Sequence, residues 1–302
     1  MSKEKILEVK SLSQHFKINR NNIIKAVDNI SFSLYKGEIL GLVGESGSGK
    51  STTGRSIIGI NTPTKGEIIF NGKNIADERV YRKEKKNIGK SIQFIFQDST
   101  SSLNPRMTIG EIIEEPLKIQ RLCKSKKERK EKVLNLMNLA GLDESYFNMY
   151  PYDFSGGQRQ RVGIARALSV EPKVIIADEP IASLDVSMQG QIVNLFKRLK
   201  KEKDLTCIFI AHDLSMVGYI SDRIAVMKNG KILEMAKSKE LYKNPIHPYT
   251  KSLIESMPKP DPKYKNMCRN VCKENIDYSK EGKLVEVSYE HFVYKVENKI
   301  GV

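Results

Sequence analysis

Glu38-Ile39-Leu40-Gly41-Leu42-Val43, followed at once by Gly44-Glu45-Ser46-Gly47-Ser48-Gly49-Lys50-Ser51, decides how the rest of the chain is read. A compact apolar run ending in glycines is a buried strand entering a tight loop, and Thr52–Ile60 behind it has a helical pattern. The loop fits G-x-x-x-x-G-K-[ST], in the strand–loop–helix setting that gives this motif its meaning. Glycines let the backbone fold tightly, so that successive N–H groups face one anion. The following helix turns the positive end of its dipole to the same place. Lys50 can then reach the β- and γ-phosphates of a nucleotide, and the Ser51 hydroxyl can ligate Mg²⁺.

Outward from this loop, strands and helices alternate. Ile30, Phe32 and Leu34 interleave with Asn29, Ser31, Ser33 and Tyr35, the period of a half-buried strand, before a turn at Lys36-Gly37. Gly66–Phe70 returns to strand, and short apolar strands recur at Ser91–Phe96, Lys173–Ala177, Thr206–Ala211 and Arg223–Met227. Helical patterns lie at Ile109–Ile119, Lys130–Leu139, Gln158–Leu168 and Gln189–Lys200. The alternation predicts an α/β domain on a parallel sheet. From about residue 100 to 170 there are helices but no convincing strand, so a helical subdomain is expected there. No internal repeat is visible, and after Tyr242 the pattern loosens into a polar, proline-containing tail. The expected division is a nucleotide-binding domain over residues 1–242 and an extension over 243–302.

With 302 residues, 39% hydrophobic and 29% charged, the chain has the composition of an ordinary soluble protein, with room for one large domain and an appendage. No apolar run reaches the roughly 18 residues of a membrane span, and Met1–Lys10 lacks the apolar stretch of a signal peptide. Cys123, Cys207, Cys268 and Cys272 are too scattered for a disulfide framework, which fits the cytosol. The net charge of +15 invites a polyanion partner. Its basic runs, Arg82–Lys86 and Lys124–Lys132, are short and mixed with Glu, the pattern of solvated helix faces, so no nucleic-acid partner is expected.

Two further segments carry chemistry. Val174-Ile175-Ile176-Ala177-Asp178-Glu179 is an apolar strand ending in two acids, and open α/β sheets place ligands at the carboxyl ends of their strands. Asp178 suits Mg²⁺ and Glu179 suits a general base for water. In Phe154-Ser155-Gly156-Gly157-Gln158, Ser155 can cap a helix and the glycines allow close approach to an anion. Two such anion-binding helix termini in one chain imply that one of them serves a nucleotide held by another chain.

Taken in order, the Walker A loop, Gln97 in Ile95-Phe96-Gln97-Asp98, the signature Phe154–Gln158, the Walker B strand, Ser183-Leu184-Asp185 and His212 in Ile210-Ala211-His212-Asp213 resemble the ATP-binding-cassette (ABC) ATPases, over roughly residues 6 to 235. The resemblance implies a P-loop NTPase core of ABC type, α/β, with an antiparallel β subdomain, an inserted helical signature subdomain and a short C-terminal extension. It implies ATP contacts for Phe16 (stacked on adenine) and for Gly44, Glu45, Ser46, Gly47, Ser48, Gly49, Lys50, Ser51 and Thr52. Ser155, Gly156, Gly157 and Gln158 would reach the γ-phosphate held by a partner, and Asp185 would link the two sites. Mg²⁺ would be met by Ser51, Gln97 and Asp178. Glu179 would be the catalytic base, with His212 and Gln97 supporting the attack.

Ser102-Leu103-Asn104-Pro105-Arg106-Met107-Thr108-Ile109-Gly110-Glu111 and Asn244-Pro245-Ile246-His247-Pro248-Tyr249-Thr250, with Leu253, Ile254 and Pro258 beyond, resemble the F-type ATPases of the oligopeptide and dipeptide permease family. That resemblance implies a second, homologous D-type ATPase subunit or a homodimer, two transmembrane permease subunits and an extracytoplasmic peptide-binding protein. It places the chain on the cytoplasmic face of the cell membrane. Nickel, glutathione or dipeptide cargo is compatible with the same motifs, and a non-transport ABC ATPase acting on nucleic acid or ribosomes would need a coiled-coil or zinc insertion or a second cassette. Cys268 and Cys272 stand at C-x₃-C without the further thiolates an iron–sulfur cluster requires. Asp277-Tyr278-Ser279 and His291-Phe292-Val293-Tyr294 resemble the cysteine-poor tails of Gram-positive relatives.

Overall fold

Strands and helices alternate along the chain in a computed structural model that describes residues 4–19, 22–257 and 282–296. The strands are β1 (Lys5–Lys17), β2 (Ile23–Tyr35), β3 (Ile39–Val43), β4 (Lys65–Phe70), β5 (Lys73–Asn74), β6 (Ile92–Ile95), β7 (Val174–Asp178), β8 (Cys207–Ala211), β9 (Arg223–Lys228), β10 (Lys231–Lys237), β11 (Gly282–Ser288) and β12 (His291–Val296). The helices are α1 (Lys50–Ile57), α2 (Glu78–Ser91), α3 (Ser99–Ser102), α4 (Ile109–Ile119), α5 (Lys126–Ala140), α6 (Gly156–Leu168), α7 (Val186–Lys203), α8 (Leu214–Ile220), α9 (Ser238–Lys243) and α10 (Pro248–Glu255).

Two sheets result. The larger has the order β11-β12-β10-β9-β3-β8-β7-β6, the smaller β2-β1-β4-β5. From β9 to β6 all neighbours are parallel, with Ile39 opposite Cys207 and Ile92 opposite Val174. Parallel strands read as continuous apolar runs because both faces are covered. Ile39 and Val43, Ile175 and Ala177, and Cys207 and Phe209 join the core shared with the helices. Leu40, Leu42, Ile176, Ile208 and Ile210 point the other way, into the core shared with the antiparallel sheet.

Between β6 and β7, among the described residues, the chain makes α3 to α6 and two short 3₁₀ turns but no strand, as the pattern over residues 100–170 predicts. The basic runs sit where solvated helix faces were expected: α2 buries only Ile88 fully, and α5 buries Val133, Leu136, Met137 and Ala140, beyond the run. Among the described residues no helix is long and apolar enough to cross a membrane.

The polar tail departs from its reading as loosened chain. It forms the short helix α10, capped by the His247 imidazole, which accepts from the Tyr249 N–H at 3.1 Å. The hairpin β11–β12 pairs with β10 through β12, Glu234 opposite Val293. At this end of the sheet the strands bury little: in β12 only His291 and Val293 are buried, and no apolar period marks it. Cys268, Cys272, Pro258 and Asp277-Tyr278-Ser279 lie outside the described residues.

Candidate functional site

Four neighbouring parallel strands deliver the candidate residues to one edge of the sheet. β3 runs into Gly44–Gly49 and Lys50, β6 into Gln97, β7 into Asp178-Glu179, and β8 into His212. They converge on a cleft of about 620 Å³ lined by Phe16, Ala26, Ser46, Gly47, Gly49, Lys50, Ser51, Thr52, Gln97, Glu179 and His212.

The loop is held by tight backbone packing at both ends. A Cβ on Gly44 would stand 2.0 Å from the Met227 carbonyl oxygen, and one on Gly49 would stand 2.2 Å from that of Ala26. Gly49 also has φ 103°, a conformation that L side chains resist. Lys50 is buried, and its ammonium donates to the carbonyls of Gly44 at 2.7 Å and Glu45 at 2.8 Å. Burial pulls its pKa down, while Glu179, Asp178 and Glu45 pull it up. Gly44, Glu45 and Ser48 therefore form the cradle of Lys50 and do not line the cleft, unlike the other loop residues expected to bind ATP.

Asp178 is fully buried at the end of β7. Its Oδ1 accepts from the Ser51 hydroxyl at 2.6 Å; its Oδ2 has no hydrogen-bond partner and lies 3.8 Å from Arg55 Nη2. Burial raises the carboxyl above its ordinary pKa, against the pull of Ser51, Arg55 and Lys50. Glu179 takes a left-handed backbone, φ 46°, with its N–H bonded to the Ile210 carbonyl at 3.0 Å. Its Oε2 accepts from Gln97 Nε2 at 2.9 Å and lies 3.6 Å from His212 Nδ1. Gln97, Glu179 and His212 thus form one contiguous group.

Phe16 lines the cleft with 39% of its surface exposed, whereas the neighbouring His15 turns away, 3.9 Å from Asp28. The signature residues do not enter the cleft. Ser155 caps α6 through a capping box with Gln158, its Oγ accepting at 3.3 Å and its N–H donating at 2.9 Å. Ser155 and Gln158 line a separate concavity with Arg161, Met188 and Gln191, and Gly156 and Gly157 pack beside them against Leu184 and Met188. Asp185 caps α7, accepting from the Met188 N–H at 2.9 Å. Motif reading missed Ala26 at the cleft, Arg55 beside Asp178, and the Tyr249 hydroxyl on the Glu45 N–H at 3.3 Å. Ala26 and Arg55 have no local pattern, and Asn244–Thr250, which holds Tyr249, gives no sign of the contact to Glu45; each of the three arrives from a different element.

Residues 27–182 match the family model of ABC transporters, and residues 233–280 that of the oligopeptide/dipeptide transporter C-terminal region. The oligopeptide transport ATP-binding protein OppF of Bacillus subtilis (strain 168) is 55% identical over 96% of both chains. The dipeptide transport ATP-binding protein DppF of Lactococcus lactis subsp. cremoris (strain MG1363) is 47% identical over 97% of this chain and 95% of its own. Among solved structures, a dimeric ATP-binding cassette in a post-hydrolysis state bound to ADP and Pi superposes with a TM-score of 0.70 and 33% identity, covering 77% of this chain and 98% of that one.

Proposed function

This chain belongs to the ABC transporter ATPases, and on that premise we propose that it hydrolyses ATP to energise an importer of oligopeptides. The convergence of Lys50, Gln97, Glu179 and His212 in one cleft carries the reading. The B. subtilis relative supports oligopeptides as cargo; the L. lactis relative supports dipeptides as a second reading.

In this mechanism Phe16 stacks on the adenine, and the N-terminal N–H groups of α1 with Lys50 hold the β- and γ-phosphates. Glu179 accepts the proton of the attacking water as the new P–O bond forms in line, and the bond to the ADP oxygen breaks. Gln97 fixes the Glu179 carboxylate through their 2.9 Å bond, and His212 stands beside the same oxygen to meet the γ-phosphate. The residues fit Mg²⁺: a buried Asp178 oxygen lacks a hydrogen-bond partner, and the Ser51 hydroxyl is 2.6 Å from the other. Ser51, Asp178 and Gln97 would hold the ion, which supplies charge neutralisation across the phosphates.

ABC ATPase cassettes work as dimers with transmembrane permease components. A second cassette, D-type or identical, supplies its own Ser155–Gln158 equivalent to this cleft, while Ser155, Gly156, Gly157, Gln158 and Asp185 here serve the partner's nucleotide. The separation of the signature from the cleft and the dimeric ADP-bound relative support this arrangement. Two permease subunits and an extracytoplasmic peptide-binding protein complete the assembly, with this chain on the cytoplasmic face of the membrane.

The test replaces the native chain in cells with Glu179→Gln. The variant should bind ATP, with hydrolysis down roughly a hundred- to ten-thousand-fold and oligopeptide uptake lost. Unchanged turnover would refute the role of Glu179. Loss of dipeptide uptake alone would favour the second cargo.

A further inference from the structure

The C-terminal region reaches the phosphate loop. Tyr249, at the start of α10, is 4% exposed, and its hydroxyl accepts from the Glu45 N–H at 3.3 Å. The Glu45 carbonyl in turn accepts from the Lys50 ammonium at 2.8 Å. One loop residue is therefore gripped from outside by Tyr249 and from inside by the lysine that meets the phosphates. The end of β9 holds both neighbours: the Met227 carbonyl presses on Gly44, and the Lys228 ammonium sits 4.1 Å over the Tyr249 ring.

Tyr249 itself stands on a buried polar anchor. Glu234, in β10 and fully buried, accepts from the N–H of Ile246 at 2.8 Å and of His247 at 3.0 Å. Its Oε1 also lies 2.7 Å from Nε2 of His291, which is buried in β12. A buried carboxylate is tolerated when its lone pairs are all taken up. Here the partners are the turn that starts α10 and the last hairpin. Packing alone would need only a phenyl ring at position 249, whereas the hydroxyl is placed where a loop N–H needs an acceptor.

We propose that Tyr249 is a positioning residue for ATP binding, fixing Glu45 and through it Lys50, and that the C-terminal region braces the phosphate loop through the Glu234 anchor. This rests on the reading of Lys50 as the phosphate-binding lysine. Removing one neutral hydrogen bond should weaken MgATP binding roughly three- to tenfold, because the loop then samples arrangements in which Lys50 is misplaced. Turnover at saturating ATP should be largely kept, since Glu179, Gln97 and His212 do not touch Tyr249.

The experiment compares full-length wild type, Tyr249→Phe and Leu253→Ala. Leu253, on the same helix, packs partly buried against the core, so its truncation loosens α10 while leaving the hydroxyl in place. Three readouts are taken: MgATP Kd, melting temperature, and hydrogen exchange at the Glu45 amide without nucleotide. Tyr249→Phe should raise Kd and speed Glu45 exchange with little change in melting, and Leu253→Ala should lower the melting temperature with Kd unchanged. An unaltered Kd in Tyr249→Phe overturns the proposal, as does an equal rise in Leu253→Ala, which would make the effect general loosening. If the wild type binds no nucleotide, the functional reading of the cleft fails and the positioning role with it.

Discussion

Asp178→Asn should make the nucleotide-free protein more stable while damaging the site. The wild-type carboxylate is fully buried, and one of its oxygens has no hydrogen-bond partner. A buried carboxylate without full pairing costs more to desolvate than the neutral amide that would replace it, by about 1–3 kcal/mol. Against this, Lys50 and Arg55 each lose an attraction, but Arg55 lies 3.8 Å away and is 45% exposed, so its share is screened. The bond from Ser51 survives if the amide oxygen takes the Oδ1 position. The balance favours Asn by about 1 kcal/mol, or about 2–3 °C in melting temperature for a chain of this size. Burial holds the Asp178 carboxyl above its ordinary pKa, so the folded chain binds this proton more tightly than the unfolded one. The penalty is thus full at pH above the folded pKa and gone below the unfolded one. The variant's advantage should be largest at neutral pH and shrink on acidification into the carboxylate range. Calorimetry in EDTA, without nucleotide, measures both. The same variant should lose the Mg²⁺-dependent part of its ATP affinity while keeping the Mg²⁺-independent part. A variant that melts below the wild type at neutral pH, or whose advantage grows on acidification, would refute the reasoning, because it would mean that Ser51, Arg55 and Lys50 more than offset burial.

Gly49→Ala should cost about 2–3 kcal/mol and abolish nucleotide binding, because φ 103° is strained for alanine and its Cβ would meet the Ala26 carbonyl at 2.2 Å; urea unfolding and ATP titration check both halves. Arg223→Met should cost about 3–5 kcal/mol at neutral pH, since it strands buried Glu38, now 3.1 Å from the Arg223 guanidinium. Burial already raises the Glu38 pKa against the pull of Arg223, so without Arg223 the carboxyl moves higher still and the loss should shrink as pH falls; urea midpoints across the acid range would show this.

Reading a sequence locally works where the chemistry sits next to the element that positions it, and fails where two distant elements must meet. Nothing in the chain announces the strand order β9-β3-β8-β7-β6, because pairing is a property of the packed sheet. Yet Lys50, Gln97, Glu179 and His212 each follow the carboxyl end of an apolar strand within a few residues. Any arrangement that keeps those strands parallel brings all four to the same edge, so the cleft is legible even though the order is not. The C-terminal contacts have no such shortcut. Glu234 meets His291 across 57 positions, and Glu45 meets Tyr249 across 204. On one side the partner is a backbone N–H and on the other a histidine in a strand with only two buried residues, so although Tyr249 and His291 stand in recognisable motifs, neither motif names its distant partner. The signature is the opposite case: Ser155-Gly156-Gly157-Gln158 is among the plainest motifs in the chain, yet folding leaves Ser155 and Gln158 in a concavity of their own. A capped helix terminus with glycines at its start is complete as local structure and lacks only an anion. The cleft around Lys50 has the loop for that anion but, among the described residues, no second set of donors. Each half supplies what the other is missing, which is the physical argument for two cassettes facing each other head to tail.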